Sequence, residues 1–225
     1  MVDRKRGAAA SVKDVMYEGR CCFMAGDYEK AMGYFHAVVD SDPAHRDALF
    51  HLGYCRSILG QWAAAAEAYE QVLRIGPDDP HAHDLLGAAY HKLGRHEEAA
   101  GQFRSALRHR PDDALTLCNL GTALREMGQL PEAEAAFRKA VAARPGFAYA
   151  HFELGQTLVA MDRWSEAAAA FLDTLVIEPE FGRARFNLGI VHMVLGNFRA
   201  ARGEYEILRR VDHHLADKLL KAMGG

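Results

Sequence analysis

ALTLCNLGTALREMGQLPEAEAAFRKAVAARPGF, residues 114–147, is the stretch that decides the fold. Within it stand Leu117, Leu120-Gly121, Leu124, Gly128, Leu130, Ala133, Phe137, Ala140 and Pro145. Moving outward, the same residue types return every 34 residues on both sides. Proline recurs at 43, 77, 111, 145 and 179, and glycine at 19, 53, 87, 121, 155 and 189. Alanine recurs at 31, 65, 99, 133, 167 and 201, and an aromatic column runs Phe35, Tyr69, Phe103, Phe137, Phe171, Tyr205. Four columns kept in one register without an insertion mark an internal repeat, and a period in this range means stacked supersecondary units.

The expected organisation is a basic, flexible segment 1–11, six repeats (12–45, 46–79, 80–113, 114–147, 148–181, 182–215) and a C-terminal cap, 216–225. This leaves no length for a second domain. Each unit reads as two helices. In the second, Leu49, Leu52, Gly53 and Arg56 keep helical spacing until Gly60-Gln61, and Trp62, Ala65, Tyr69, Val72 and Leu73 resume it until Gly76-Pro77. Glycine supplies backbone freedom at the turn, and proline cannot continue the helix before it. Glycine at the eighth position and alanine at the twentieth admit close helix approach, and the aromatic at the twenty-fourth fills the space beside them. Each ring buries ~150–250 Å², a few kcal/mol before entropy is deducted. One unit cannot bury such a face alone, so neighbouring units share the core.

Composition supports this. Half of the 225 residues are hydrophobic and a quarter charged, with a net charge of −3. No basic excess points to nucleic acid. Four cysteines, two of them adjacent and none in a CxxC pair, are no disulfide framework and fit a reducing compartment, so a cytoplasmic location is expected. Arg4, Lys5 and Arg6 are followed by no apolar run, so no secretory signal is expected, and no stretch approaches a membrane span.

The columns resemble the tetratricopeptide repeat family over about nine-tenths of the chain. The resemblance implies an all-α, right-handed superhelical solenoid of six antiparallel helix pairs, with the first helix of each pair lining a concave groove that binds peptides or helices of partner proteins. There are departures: Glu18 replaces a usual leucine, Asp162 the turn glycine of the fifth unit and His213 the proline of the sixth, while Arg56 and His192 take apolar positions. After His213, Leu215, Leu219 and Ala222-Met223 form a short helical stripe, with Lys218 and Lys221 outside it, which reads as the cap.

Mapped onto this sequence, the family's groove positions give a peptide-binding set of Met16, Arg20, Phe50, Tyr54, Asp84, His91, Asn119, Arg125, Tyr149, Phe152, Phe186, Asn187, Ile190 and Met193. The ends are apolar or aromatic and the middle polar; the C-terminal zone is the sharper candidate for docking an amphipathic helix or an apolar segment. The clamp for chaperone C-terminal carboxylates does not fit: its positions hold Asp84, Ala88, Asn119, Tyr149 and Glu153, whose acids would repel a carboxylate. An asparagine ladder at position six is also missing, that column reading Tyr17, His51, Leu85, Asn119, Glu153, Asn187.

No catalytic residue, cofactor or metal site is expected. His81 and His83 point to different helix faces, His91 and His96 fall on different helices, and no pair has the i, i+4 ligand spacing. Cys22 and Cys55 take packing positions, whereas Cys118 maps to the groove and is expected to be accessible, with no base in sight. The glycines follow the repeat, not a phosphate loop. The expected function is a non-catalytic scaffold or adaptor for a protein or peptide partner; the alternatives are a self-assembling homo-oligomer and an accessory subunit of an enzyme.

Overall fold

The computed structural model describes residues 11–224, so the expected flexible segment lies, but for Ser11, outside the described residues. Among these the chain is all-α, with thirteen helices and no strand. It forms two compact units, one ending at His109 and the other starting at Arg110. The first holds three antiparallel pairs: α1 (Val12–Met24) with α2 (Tyr28–Ser41), α3 (Arg46–Ile58) with α4 (Trp62–Ile75), and α5 (Pro80–Lys92) with α6 (His96–His109). The second holds α7 (Ala114–Glu126) with α8 (Leu130–Ala143), α9 (Ala148–Ala160) with α10 (Trp164–Ile177), α11 (Gly182–Val194) with α12 (Phe198–Val211), and a last helix, α13 (His213–Ala222).

Short polar side chains start five of these helices. Ser11 Oγ accepts from the Asp14 amide at 3.2 Å while the Asp14 carboxylate takes the Ser11 amide at 3.1 Å, so two orphan N–H groups are satisfied reciprocally. Asp27, Asp79, Asp113 and Asp212 cap α2, α5, α7 and α13. Within pairs, the turn needs a left-handed residue. Glycine supplies it at 26, 60, 94, 128 and 196, with φ between +73° and +80°. Asp162 takes the same conformation at φ +57°, the one non-glycine among the described residues to do so.

The pair interior is built on contact between a glycine and a ring. A methyl group on Gly19, Gly53, Gly87, Gly121 or Gly155 would lie 2.6–2.8 Å from the ring of Phe35, Tyr69, Phe103, Phe137 or Phe171 respectively. These five rings are buried, as are the six alanines of the twentieth column. The sixth pair breaks the pattern. Gly189 meets Leu219 of α13, not Tyr205, which is only half-buried. The capping helix therefore delivers the side chain that an aromatic ring supplies elsewhere.

The cap also starts earlier than expected, at His213 rather than 216. Asp212 ends α12 and caps α13 at once, its Oδ1 accepting from the Leu215 amide at 3.0 Å, so a single residue replaces the four-residue connectors between earlier pairs. Arg56, the charge at an apolar position, is accommodated by donating to the Ala64 carbonyl at 3.0 Å and lying 3.2 Å from His36 Nε2.

Two substitutions separate these constraints. Asp162→Gly removes the strain of a side chain in the left-handed region and should raise the unfolding free energy measured in urea by up to ~1 kcal/mol. Gly155→Ala drives a methyl into the Phe171 ring and should cost ~1–3 kcal/mol in the same measurement.

Candidate functional site

In the first unit the expected groove residues divide. Met16 is mostly buried against Ala31, Phe35 and Ala48, and its remaining surface lines a pocket of about 370 Å³ with Tyr17, Arg20 and Asp47. Arg20 is exposed and pairs with Asp47 at 3.4 Å. Phe50 is half-buried, edge-on to Tyr69 at 6.0 Å. Tyr54 presents its surface beside Phe23, with ring centroids 5.4 Å apart. His51 stacks on Phe35 at 5.0 Å, and burial, with Arg20 nearby, lowers its pKa and so favours the neutral ring. Asp84 and His91 are half-buried. His91 and His96, which fall on different helices of one pair, are in contact across the turn.

In the second unit the largest correction falls on the apolar zone. Phe152 is 0 % exposed, enclosed by Phe171 at 5.9 Å and Phe181 at 5.0 Å with Arg183 over its ring at 4.8 Å. It offers no side-chain surface to a ligand. Phe186, Ile190 and Met193 are half-buried against Leu208, Ala216 and Leu219, so the last two helices take up most of the apolar face that looked available. Cys118, expected to be accessible, is buried; desolvation, then the Glu153 charge, pushes its thiol up to about 12.

A polar cluster stands beside these residues. Arg125 on α7 forms an ion pair with Glu153 on α9, reaches Gln156 Oε1 at 3.3 Å and lies 3.7 Å from Glu126. Glu153 is only 2 % exposed, so this is a charge held inside the protein by its partner. Tyr149 is 41 % exposed and bonds to Glu153; burial and that carboxylate raise its pKa to about 12. Asn119 is half-buried on α7. Next along α9, Gln156 and Val159 join Trp164, Asn187, Ile190 and Val191 around a pocket of about 180 Å³, with two amides among aliphatic and indole surface. Glu153, Gln156, Trp164 and Val191 were absent from the expected set. The signal for Glu153 was present, an acid at position six of one unit after an arginine at position twelve of the unit before, but only packing places them side by side.

The buried groups define a pH dependence. Desolvation raises Cys55 to about 11 and Cys118 to about 12 from 9.0. Their neutral forms are the ones the fold favours, so this stability is full below about pH 9 and declines as pH rises towards 12. Urea midpoints should hold up to about pH 9 and be lower at about pH 10.5. At about pH 8 a thiol reagent should modify the part-exposed Cys21 and Cys22 and reach Cys55 and Cys118 only on unfolding.

No helix of the described residues is long and apolar enough to cross a membrane. Tetratricopeptide repeat models match residues 23–89, 82–146, 118–180 and 153–211. The structure is similar to that of PilW, described as a widely conserved type IV pilus biogenesis factor, with 22 % identity, a TM-score of 0.79 and coverage of 96 % of this chain and 100 % of that one. It is also similar to MamA from Desulfovibrio magneticus RS-1 (24 % identity, TM-score 0.73, coverage 76 % and 96 %). A third similar structure is YrrB, described as a TPR protein with an unusual peptide-binding site (21 %, 0.68, coverage 83 % and 97 %). At these identities the likeness is one of fold. A comparison with curated proteins gives no match. The repeat models span the chain from residue 23 to residue 211, and with the paired helices beneath them the chain belongs to the tetratricopeptide repeat family.

Proposed function

We propose that the chain is a non-catalytic, cytoplasmic scaffold that holds a peptide, or a helix of a partner protein, on the face made by the first helices of its pairs. The observation that carries this reading is the juxtaposition in the second unit of Arg125, Glu153, Tyr149 and Gln156 with the pocket around Asn187 and Ile190. Tyr149, Gln156 and Asn187 keep surface, and the buried Arg125–Glu153 pair beside them holds Tyr149 and Gln156 in place. They are thus preorganised to meet the amides and carbonyls of an extended backbone at low entropic cost. The adjoining pocket, part aliphatic and part amide, suits one apolar side chain of that segment. The fold likeness to YrrB, described as binding peptide, supports the same reading. A thiol held protonated at Cys118 has no use as a nucleophile, which favours a scaffold over an enzyme. The net charge of −3 favours a protein partner over nucleic acid.

The test is crosslinking and capture from the native cell with Tyr149→Ala/Asn187→Ala, against Leu172→Lys on an exposed position of α10. The double variant should lose partners that the wild type and the α10 variant retain, with all three equally helical by circular dichroism. An unchanged partner set would remove this face from consideration. Light scattering of the purified chain distinguishes a second copy of the chain as the occupant from a different protein.

A further inference from the structure

The twelfth and seventeenth residues of a pair meet across its hairpin turn. In the first pair they are Phe23 and Tyr28, edge-on with centroids 5.5 Å apart. In the fifth they are Val159 and Trp164, which line one pocket together. In the third, both are imidazoles: His91 near the end of α5 and His96 at the start of α6. The backbone holds them there. Gly94, at φ +75°, donates to the His91 carbonyl at 3.0 Å, and Arg95 donates to that of Tyr90 at 2.9 Å. The rings are half-buried, 5.1 Å apart and tilted by 57°, with Nδ1 facing Nδ1 at 3.3 Å. The cations beside them in sequence are engaged elsewhere. Arg95 pairs with Glu98 and lies 4.1 Å over Tyr90, and Lys92 lies 6.0 Å from the Trp62 ring.

At an Nδ1–Nδ1 distance of 3.3 Å, one neutral ring donates its N–H to the other, or, with the hydrogen of each ring moved to Nε2, both Nδ1 lone pairs are available to one metal ion. Zinc binds histidine nitrogen at about 2.0–2.1 Å, so two such ligands on a tetrahedral ion stand about 3.3–3.4 Å apart. The observed separation of 3.3 Å matches that geometry. Imidazole is also the ligand that suits zinc, copper and nickel. We infer that His91 and His96 form a two-histidine site for a divalent transition-metal ion of the zinc class. Among the described residues no group of three or more His, Cys, Asp or Glu is placed to hold a metal, so the remaining coordination positions fall to water or to a donor atom from outside the chain. This differs from the expectation that histidines on separate helices would not combine. It stands independently of peptide binding, since the two side chains alone define it.

The experiment is calorimetric titration of the full chain with zinc chloride. Wild type should show one saturable one-to-one event, and His96→Leu should abolish it. Leucine fills the same slot in the fourth pair as Leu130, so this variant keeps the packing of the turn. His91→Gln is the second, independent removal and should abolish the same event, with helicity checked for both variants by circular dichroism. Copper(II) bound in place of zinc should show two-nitrogen coupling by electron paramagnetic resonance in the wild type, lost in either variant. Absence of binding to the wild type means that one ring donates its N–H to the other and overturns the inference. So does binding that survives both substitutions, which would place the metal on other histidines.

Discussion

In each of the first five pairs one helix lacks a side chain where the other helix presents a ring, and the rest of the structure depends on that contact. At Gly155 the clearance is so small that a methyl would come to 2.6 Å of Phe171. Because the ring fills the gap left by the missing Cβ, the two helices approach closely without leaving a void, and interiors tolerate neither overpacking nor cavities well. The buried alanine column serves the same end. The residues between these columns are then free to vary, which is why polar and apolar side chains alternate so widely on the outer positions.

The sixth pair shows that the constraint is volume, not aromaticity. Leu219 from the capping helix fills the place beside Gly189, and Tyr205 is left half-buried. The cap is thus part of the last pair's interior. The same helix helps to cover Phe186, Ile190 and Met193, so covering the last pair also consumes apolar surface that a ligand would otherwise find. What stays on offer in the second unit is mainly polar: a buried Arg125–Glu153 pair with Tyr149 and Gln156 around it, and a small pocket between amides and aliphatic groups. A buried charge pair needs its full set of partners, and that requirement makes the arrangement rigid.

The turn between helices has its own chemistry. It brings residues five apart in sequence face to face, and the chain uses this slot for an aromatic pair, for an aliphatic–indole pair, and once for two imidazoles. Tight backbone hydrogen bonds around the left-handed residue set the separation, whatever the side chains.

The helix pairs, their turns and the buried glycine, alanine and aromatic columns were legible in the sequence, because each is a local or strictly periodic requirement of backbone and volume. Asp162 could be read as the odd residue in a glycine column, and the structure puts it in the left-handed conformation that the column demands. The site was legible only as a set of positions. Whether Phe152 or Met16 would face a ligand or the core, whether Cys118 would be open, and whether Arg125 would meet Glu153 depended on how closely neighbouring pairs and the cap approach. Burial and electrostatic pairing are sums over contacts between residues distant in sequence, and a repeat pattern specifies which helix face points inward without specifying how much of it the next helix covers. Tertiary structure decided those points, as it decided that His91 and His96 are neighbours.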